Sequence, residues 1–361
     1  MSERLLLCTR KGVFIYARGT AGWSVSYEAF LGVPVSMALH DGRDGNLYAA
    51  LAHGHFGCKL HRSGDGGATW DEITMPSFPA GVAGSDGDGP AVSLVWALEA
   101  AGSDAPETLW AGTIPGGLFV STDRGDSWTL VRSLWDLPER ANWFGGGYDD
   151  PGIHSIAIDP RDSHRISLAV SCGGVWLSED GGGSWVARTR GMKAPYVPPE
   201  RAEDAAIQDP HRLVQCPAQP DRFWVQHHAG VYRSTDGLES WSRLDGVAVS
   251  DFGFAVAVHP DDPETAWFVP ATADEKRYPV DARLVVTRTR DGGASFETLT
   301  EGFPSPPIYD LVYRHGLDVG ADGQTLAMGS TTGGLWISED GGESWATVSL
   351  TLPPIYGVRL F

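Results

Sequence analysis

Several absences narrow the field. Cysteine is scarce: the four residues Cys8, Cys58, Cys172 and Cys216 are scattered without a pairing pattern. They point to reduced thiols in a cytoplasmic protein, not to a disulfide scaffold. Positive charge is in deficit, with 27 basic against 46 acidic side chains and a net charge of -19. Such a field repels phosphate backbones and anionic bilayers, so neither nucleic acid nor membrane is expected as a partner. No apolar run approaches the roughly 18 residues that a spanning helix needs. The first ten residues lack a long apolar region and a small-residue cleavage site, and read as a strand rather than a signal peptide. What is plentiful is Gly (46) and Pro (24), which suits many short strands and turns better than long helices.

A repeat organises the chain. Ser63-Gly-Asp65-Gly-Gly67-Ala-Thr69-Trp70 recurs at 121–128, 178–185, 234–241, 289–296 and 338–345. The aspartates Asp65, Asp123, Asp180, Asp236, Asp291 and Asp340 are 58, 57, 56, 55 and 49 residues apart. A seventh, degenerate copy opens the chain: Gly12-Val-Phe-Ile15 followed by Gly22-Trp23 keeps the frame, with Arg18 in the aspartate's place. An aspartate at this spacing can bond the N–H groups of its own turn, and glycine supplies conformations other residues avoid. The closing aromatic covers apolar surface between neighbouring sheets.

These segments resemble the Asp-box, or BNR, repeat of sialidase-type and YVTN–BNR-like propellers, and the resemblance covers nearly the whole chain. It implies an all-β, seven-bladed β-propeller of four-stranded antiparallel blades in a single domain, 1–361. The blades fall at 33–77, 91–133, 152–188, 210–245, 252–300 and 307–350, with blade 1 assembled from 4–30 and 354–361. The segment Pro354-Ile-Tyr-Gly-Val-Arg-Leu-Phe361 matches Pro307-Ile-Tyr-Asp-Leu-Val-Tyr313. It is therefore expected to return as the innermost strand of blade 1 and close the ring.

With strands A to D running outward from the axis, the aspartate turns share one face. The long D-to-A connections (78–91, 134–152, 189–210) and B-to-C connections (52–58, 270–283) share the other, where a pocket is expected. Aligned by their boxes, His154 and His211 lie 26 and 25 residues before Asp180 and Asp236, at the start of strand A. His228 lies 8 before Asp236, the place Cys172 holds before Asp180 and Arg10 holds in blade 1. Tyr309 and Tyr356 are expected to begin strand A of blades 7 and 1, and Asp251 and Phe252 to precede that of blade 6. Trp143, Tyr148, Asp149 and Asp150 would close over the mouth. His53 and His55 enter from blade 2, and Arg277, Tyr278, Asp281 and Arg283 from blade 6. Arg212 follows His211 and should alternate away from the channel.

Three chemistries are compatible with that set. His154, His211 and His228 could hold one divalent metal ion, serve as acid/base groups with Asp251, or simply satisfy a polar channel. Arg10 would hold an anionic group, with Trp143, Tyr148, Asp149, Tyr309, Tyr356, Phe252, His55 and Arg283 as substrate contacts. The sialidase resemblance implies an arginine triad, a tyrosine nucleophile with a glutamate, and an aspartate acid. The Arg-Ile-Pro motif of that family is absent, so classical sialidase activity is not expected. Asp149, Asp150, Asp251 and Asp281 are the candidates for a carboxylate pair. The leading expectation is a hydrolase- or lyase-like enzyme acting on a small polar or sugar-like molecule. The alternatives are a His-ligated metalloenzyme and a non-catalytic scaffold that docks a protein through Trp135, Trp143, Phe144 and Tyr148.

Overall fold

A computed structural model describes residues 3–82, 89–273 and 275–361; parts of the connections 78–91 and 270–283 thus lie outside the described residues. The chain forms seven four-stranded antiparallel sheets. From the inside outward, blade 4 runs Ile153–Asp159, Asp162–Val170, Gly174–Ser178 and Val186–Ala187. Blade 1 is built from both chain ends. Ile355–Leu360 pairs antiparallel with Arg4–Thr9, with Leu6 opposite Arg359 and Leu7 opposite Val358. The ring therefore has no open edge strand at the closure. Arg359 also reaches across the axis to Glu99 of blade 3, with one contact of 3.0 Å in a two-pronged pair.

Each pair of neighbouring blades shares its own apolar cluster. Leu5, Leu7 and Phe14 meet Leu335 and Ile337 between blades 1 and 7, and Val175 and Leu177 meet Phe223 and Val225 between blades 4 and 5. The core is thus a ring of seven such layers rather than one central mass, and the axis is left for polar groups.

The six aspartate turns share one hydrogen-bond pattern. At Asp180, Oδ1 accepts the Ser184 N–H at 2.8 Å and Oδ2 accepts the Ser184 hydroxyl at 2.7 Å. The Ser178 hydroxyl oxygen accepts the Gly182 N–H at 2.8 Å. That residue is left-handed in every turn; it is glycine in five, and Leu238 (φ 75°) takes the place in the sixth. These bonds, the Ser184 and Thr69 hydroxyls foremost, hold Asp180 and Asp65 down at about 2. In the degenerate first copy, Arg18 instead pairs with Glu339 of blade 7 at 2.6 Å.

Two expectations change. The segment 307–313 is not a strand; the innermost strand of blade 7 is Leu317–Val319. Its register is set by pairing with Leu326–Gly329, so the resemblance of 307–313 to the closing strand does not carry into structure. Arg212 does not turn away: it lines the axial channel. A β-bulge at His211 inserts an extra residue between Pro210 and Arg212, which resets the alternation. Among the described residues, no helix is long and apolar enough to cross a membrane.

Candidate active site at the axial mouth

The bulge in blade 5 is one of a set. The innermost strands of blades 1 to 6 each break register near the loop face: at Tyr356, Ser36, Trp96, His154 and His211, and across Phe254 and Ala255. Bulges re-aim side chains, and here they gather an inner circle. Trp96 meets His154 edge-on at 5.4 Å, and His211 stacks on Phe254 at 4.6 Å.

A cavity of about 400 Å³ opens on this face. Trp96, Tyr148, Tyr313 and Tyr356 give it aromatic walls, Ser36 and Gly146 line it, and Arg277 and Arg314 bring positive charge. His315 forms the floor. Its Nε2 donates to the His154 carbonyl at 2.7 Å, and below it a second axial cavity of about 260 Å³ is lined by Arg212, Asp318 and Arg359. No carboxylate is among the residues lining the upper cavity.

Arg314 is the unusual member. It is only 9% exposed, yet its guanidinium makes no hydrogen bond or ion pair among the described residues, and its Nε is buried without a partner. It is held between rings, 4.8 Å from the Trp96 centroid and 5.7 Å from that of Phe254. Burial lowers its pKa, and the field of Asp209 opposes that. A buried cation with rings on its flanks and no hydrogen-bonded counter-ion among the described residues is arranged to receive an anion.

Behind the cavity wall lies Asp209, 5% exposed at its side chain. Its Oδ2 is 3.4 Å from His211 Nε2 and 3.6 Å from His228 Nδ1. Its Oδ1 accepts the Cys172 N–H at 3.2 Å. Burial acts to raise the carboxyl, but His211 and Arg314 hold it below the carboxylate range. Burial lowers His211, with Asp209 in opposition, and pushes the Cys172 thiol up so that it stays protonated. His227, drawn down to about 3 by burial, accepts the Asp209 N–H at 3.1 Å. Gly146 joins the two regions. It lines the cavity, and a Cβ there would lie 2.7 Å from Cys172 Sγ and 3.4 Å from Asp209 Oδ2.

The residues singled out from sequence divide accordingly. His211, His228 and Phe252 come together, with Phe252 edge-on to both imidazoles. Tyr148 and Tyr356 line the cavity. His154 is buried beside them but outside the cluster. Its Nδ1 contacts Ser155 Oγ at 3.0 Å, its Nε2 has no partner among the described residues, and burial keeps it neutral. Asp251 pairs with Arg243 at 2.5 Å rather than with a histidine. Trp143 is core, packed on Trp176 at 5.7 Å, and is not part of a lid. Arg10, His55, Asp149, Asp150, Asp281, Arg283 and Tyr309 are exposed.

Asp209 and Arg314 are the residues that strand alignment misses. Arg314 lies 26 residues before Asp340, the offset His154 keeps from Asp180, so the same count applied to the last box finds it. Asp209 sits two residues before His211, in a loop that the strand count passes over.

The fold and the loop-face cavity define a seven-bladed propeller with a ligand-sized axial site. No protein-family model matches the chain. Among curated proteins it is similar to a probable oligoxyloglucan-reducing end-specific xyloglucanase of Neosartorya fischeri, 26% identical over 50% of this chain and 22% of that protein. It is also similar to a xyloglucanase of Hypocrea jecorina, 24% identical over 66% of this chain and 24% of that one. The chain thus spans about a quarter or less of the curated relatives it matches. Among solved structures, an ancestral GH74 enzyme shares the fold at a TM-score of 0.60 and 18% identity, over 84% of this chain and 36% of that one. A functionally unknown protein from Desulfotomaculum acetoxidans does so at 0.59 and 11%, over 99% of both chains. YCF48 bound to D1 peptide does so at 0.52 and 16%, over 83% and 78%.

Proposed function

We propose that this chain is an Asp-box propeller enzyme of the hydrolase or lyase type. Its axial cavity takes a small polar substrate that carries an anionic group, with a sugar acid as the leading class. The observation that carries this reading is the buried, unpaired guanidinium of Arg314 in an aromatic cavity. An anion there gains a charge-assisted hydrogen bond with a buried cation that has no ion-pair partner among the described residues. The ring of Trp96, Tyr148, Tyr313 and Tyr356 suits the apolar faces of a pyranose, and the xyloglucanase relatives favour a glycan-derived molecule. A carboxylate pair of the usual glycosidase kind is not among the cavity-lining residues.

The test is a thermal-shift comparison of glucuronate and galacturonate with glucose and galactose. The acids should raise the melting temperature and the neutral sugars should not; equal shifts from both classes would sink the reading. A second reading, a docking platform for a protein, draws on the exposed aromatics Phe56, Phe144, Tyr148 and Tyr309 on this face. It predicts that closing the cavity leaves partner binding intact.

A further inference from the structure

We infer that Asp209, His211 and His228 form a binding site for one divalent transition-metal ion of the zinc or iron(II) class, set behind the wall of the axial cavity. The inference stands apart from the sugar-acid reading, because it rests on a different set of atoms.

Three independent features of the geometry carry it. The first is spacing: Asp209 Oδ2 lies 3.4 and 3.6 Å from the two ring nitrogens. The longer distance is beyond a hydrogen bond and the shorter is at its limit. Metal–ligand bonds of about 2.0–2.1 Å in tetrahedral arrangement put ligand atoms roughly 3.3–3.4 Å apart. The three ligand atoms all lie within 4.8 Å of one another, and two imidazoles with one carboxylate suit zinc or non-haem iron(II).

The second feature is the tautomer. His211 Nδ1 lies 2.6 Å from the Gly253 carbonyl. A carbonyl can only accept, so Nδ1 carries a proton, and the neutral form of the ring presents its lone pair at Nε2, on the side of the carboxylate, as a metal ligand must. A cation between that lone pair and the carboxylate oxygen, metal ion or proton, makes the contact favourable. A ligating histidine commonly ties its other nitrogen to a backbone carbonyl in this way.

The third is the support around the donors. The Cys172 N–H holds Oδ1 and so leaves Oδ2 for the cluster. Phe254 stacks on His211 while Phe252 abuts both rings, fixing their orientation. Tyr196 meets His228 edge-on at 5.2 Å. The His228 side chain is 21% exposed, which gives an ion a way in. Two nitrogens and a single carboxylate disfavour calcium or magnesium, which prefer six or more oxygens.

The experiment uses full-length protein stripped with a chelator and titrated with Co²⁺ alone, read by visible d–d absorption and by melting temperature. One equivalent should bind, with absorption bands of a low-coordinate N/O site and a rise in melting temperature. His228→Ala, at the partly exposed ligand, should keep the fold and lower affinity at least tenfold; Asp209→Asn should do the same where it folds. His164→Ala, in the surface group Asp104, Asp162 and His164, should leave affinity unchanged. Absence of binding by the parent protein overturns the inference. So does binding that survives His228→Ala, or binding that is lost in His164→Ala. None of these outcomes bears on the sugar-acid shift, which is read through Arg314.

Discussion

Replacing Arg314 by methionine should make this protein more stable and remove its affinity for acids. Methionine keeps an unbranched chain between Trp96 and Phe254 and discards the charge. Taking a charge into a buried site costs several kcal/mol even after relaxation. Two terms offset this in the parent protein. Ring contacts at 4.8 and 5.7 Å contribute about 0.5–2 kcal/mol, and attraction to Asp209 adds about 1–2 kcal/mol at an effective dielectric near 20. The balance favours Arg314→Met by about 1–2 kcal/mol, a rise of roughly 1–4 °C for a chain of this size. The second half of the measurement adds glucuronate. At about 100 times its dissociation constant a ligand stabilises the folded state by roughly 2.7 kcal/mol, so the parent should overtake the variant in the presence of acid. A fall of several degrees in Arg314→Met, with equal acid shifts in both proteins, would mean that the guanidinium is a structural strut and that the cavity has no anion preference.

Three further outcomes follow from the fold. Deleting 354–361 removes the innermost strand of blade 1, including buried Ile355 and Val358 and the Arg359–Glu99 pair. The loss of about 5–10 kcal/mol rivals the whole stability of a domain, so circular dichroism should show an unfolded or aggregated chain. A native-like melting curve would disprove ring closure. Trp143→Ala should lower stability by about 3–5 kcal/mol, as expected of a core residue packed on Trp176; a change in ligand affinity at unchanged melting temperature would restore it to the lid. Finally, Asp65 and Asp180 sit at about 2 in the folded chain, below the ordinary value near 3.9. A lowered carboxyl pKa stabilises fully above the unfolded value, and the benefit is lost as pH falls through the folded one. Melting temperature should therefore drop steeply between about pH 4 and 2, and less steeply in Asp180→Asn; identical slopes would remove the turns from acid stability.

The architecture was legible because its determinants are local. Each aspartate turn is specified within eight residues, and six copies plus a degenerate seventh count the blades. The closing strand was expected as well, although the segment 307–313 that it was matched to is not itself a strand. Part of the site was readable by the same counting: His211 and His228 converge, and Tyr148 and Tyr356 reach the cavity. The count failed where backbone departs from regular register. Tyr309 was placed on an inner strand because 307–313 looks like the closing segment, whereas the strand that pairs begins at Leu317, and the intervening loop carries Arg314 over the mouth. Asp251 seemed the natural partner for the histidines; Arg243 takes it, and Asp209 fills that place.

The amino-acid order alone determined the ring: its seven members, its aspartate turns on one face and its two-ended first blade, because turn chemistry and strand alternation act over a few neighbouring residues. Which side chains meet at the axis was decided only by tertiary structure. Bulges in six inner strands shift the alternation by one residue at each strand's mouth, and only then do Asp209, from a loop, and Arg314, from another blade, come into the same field.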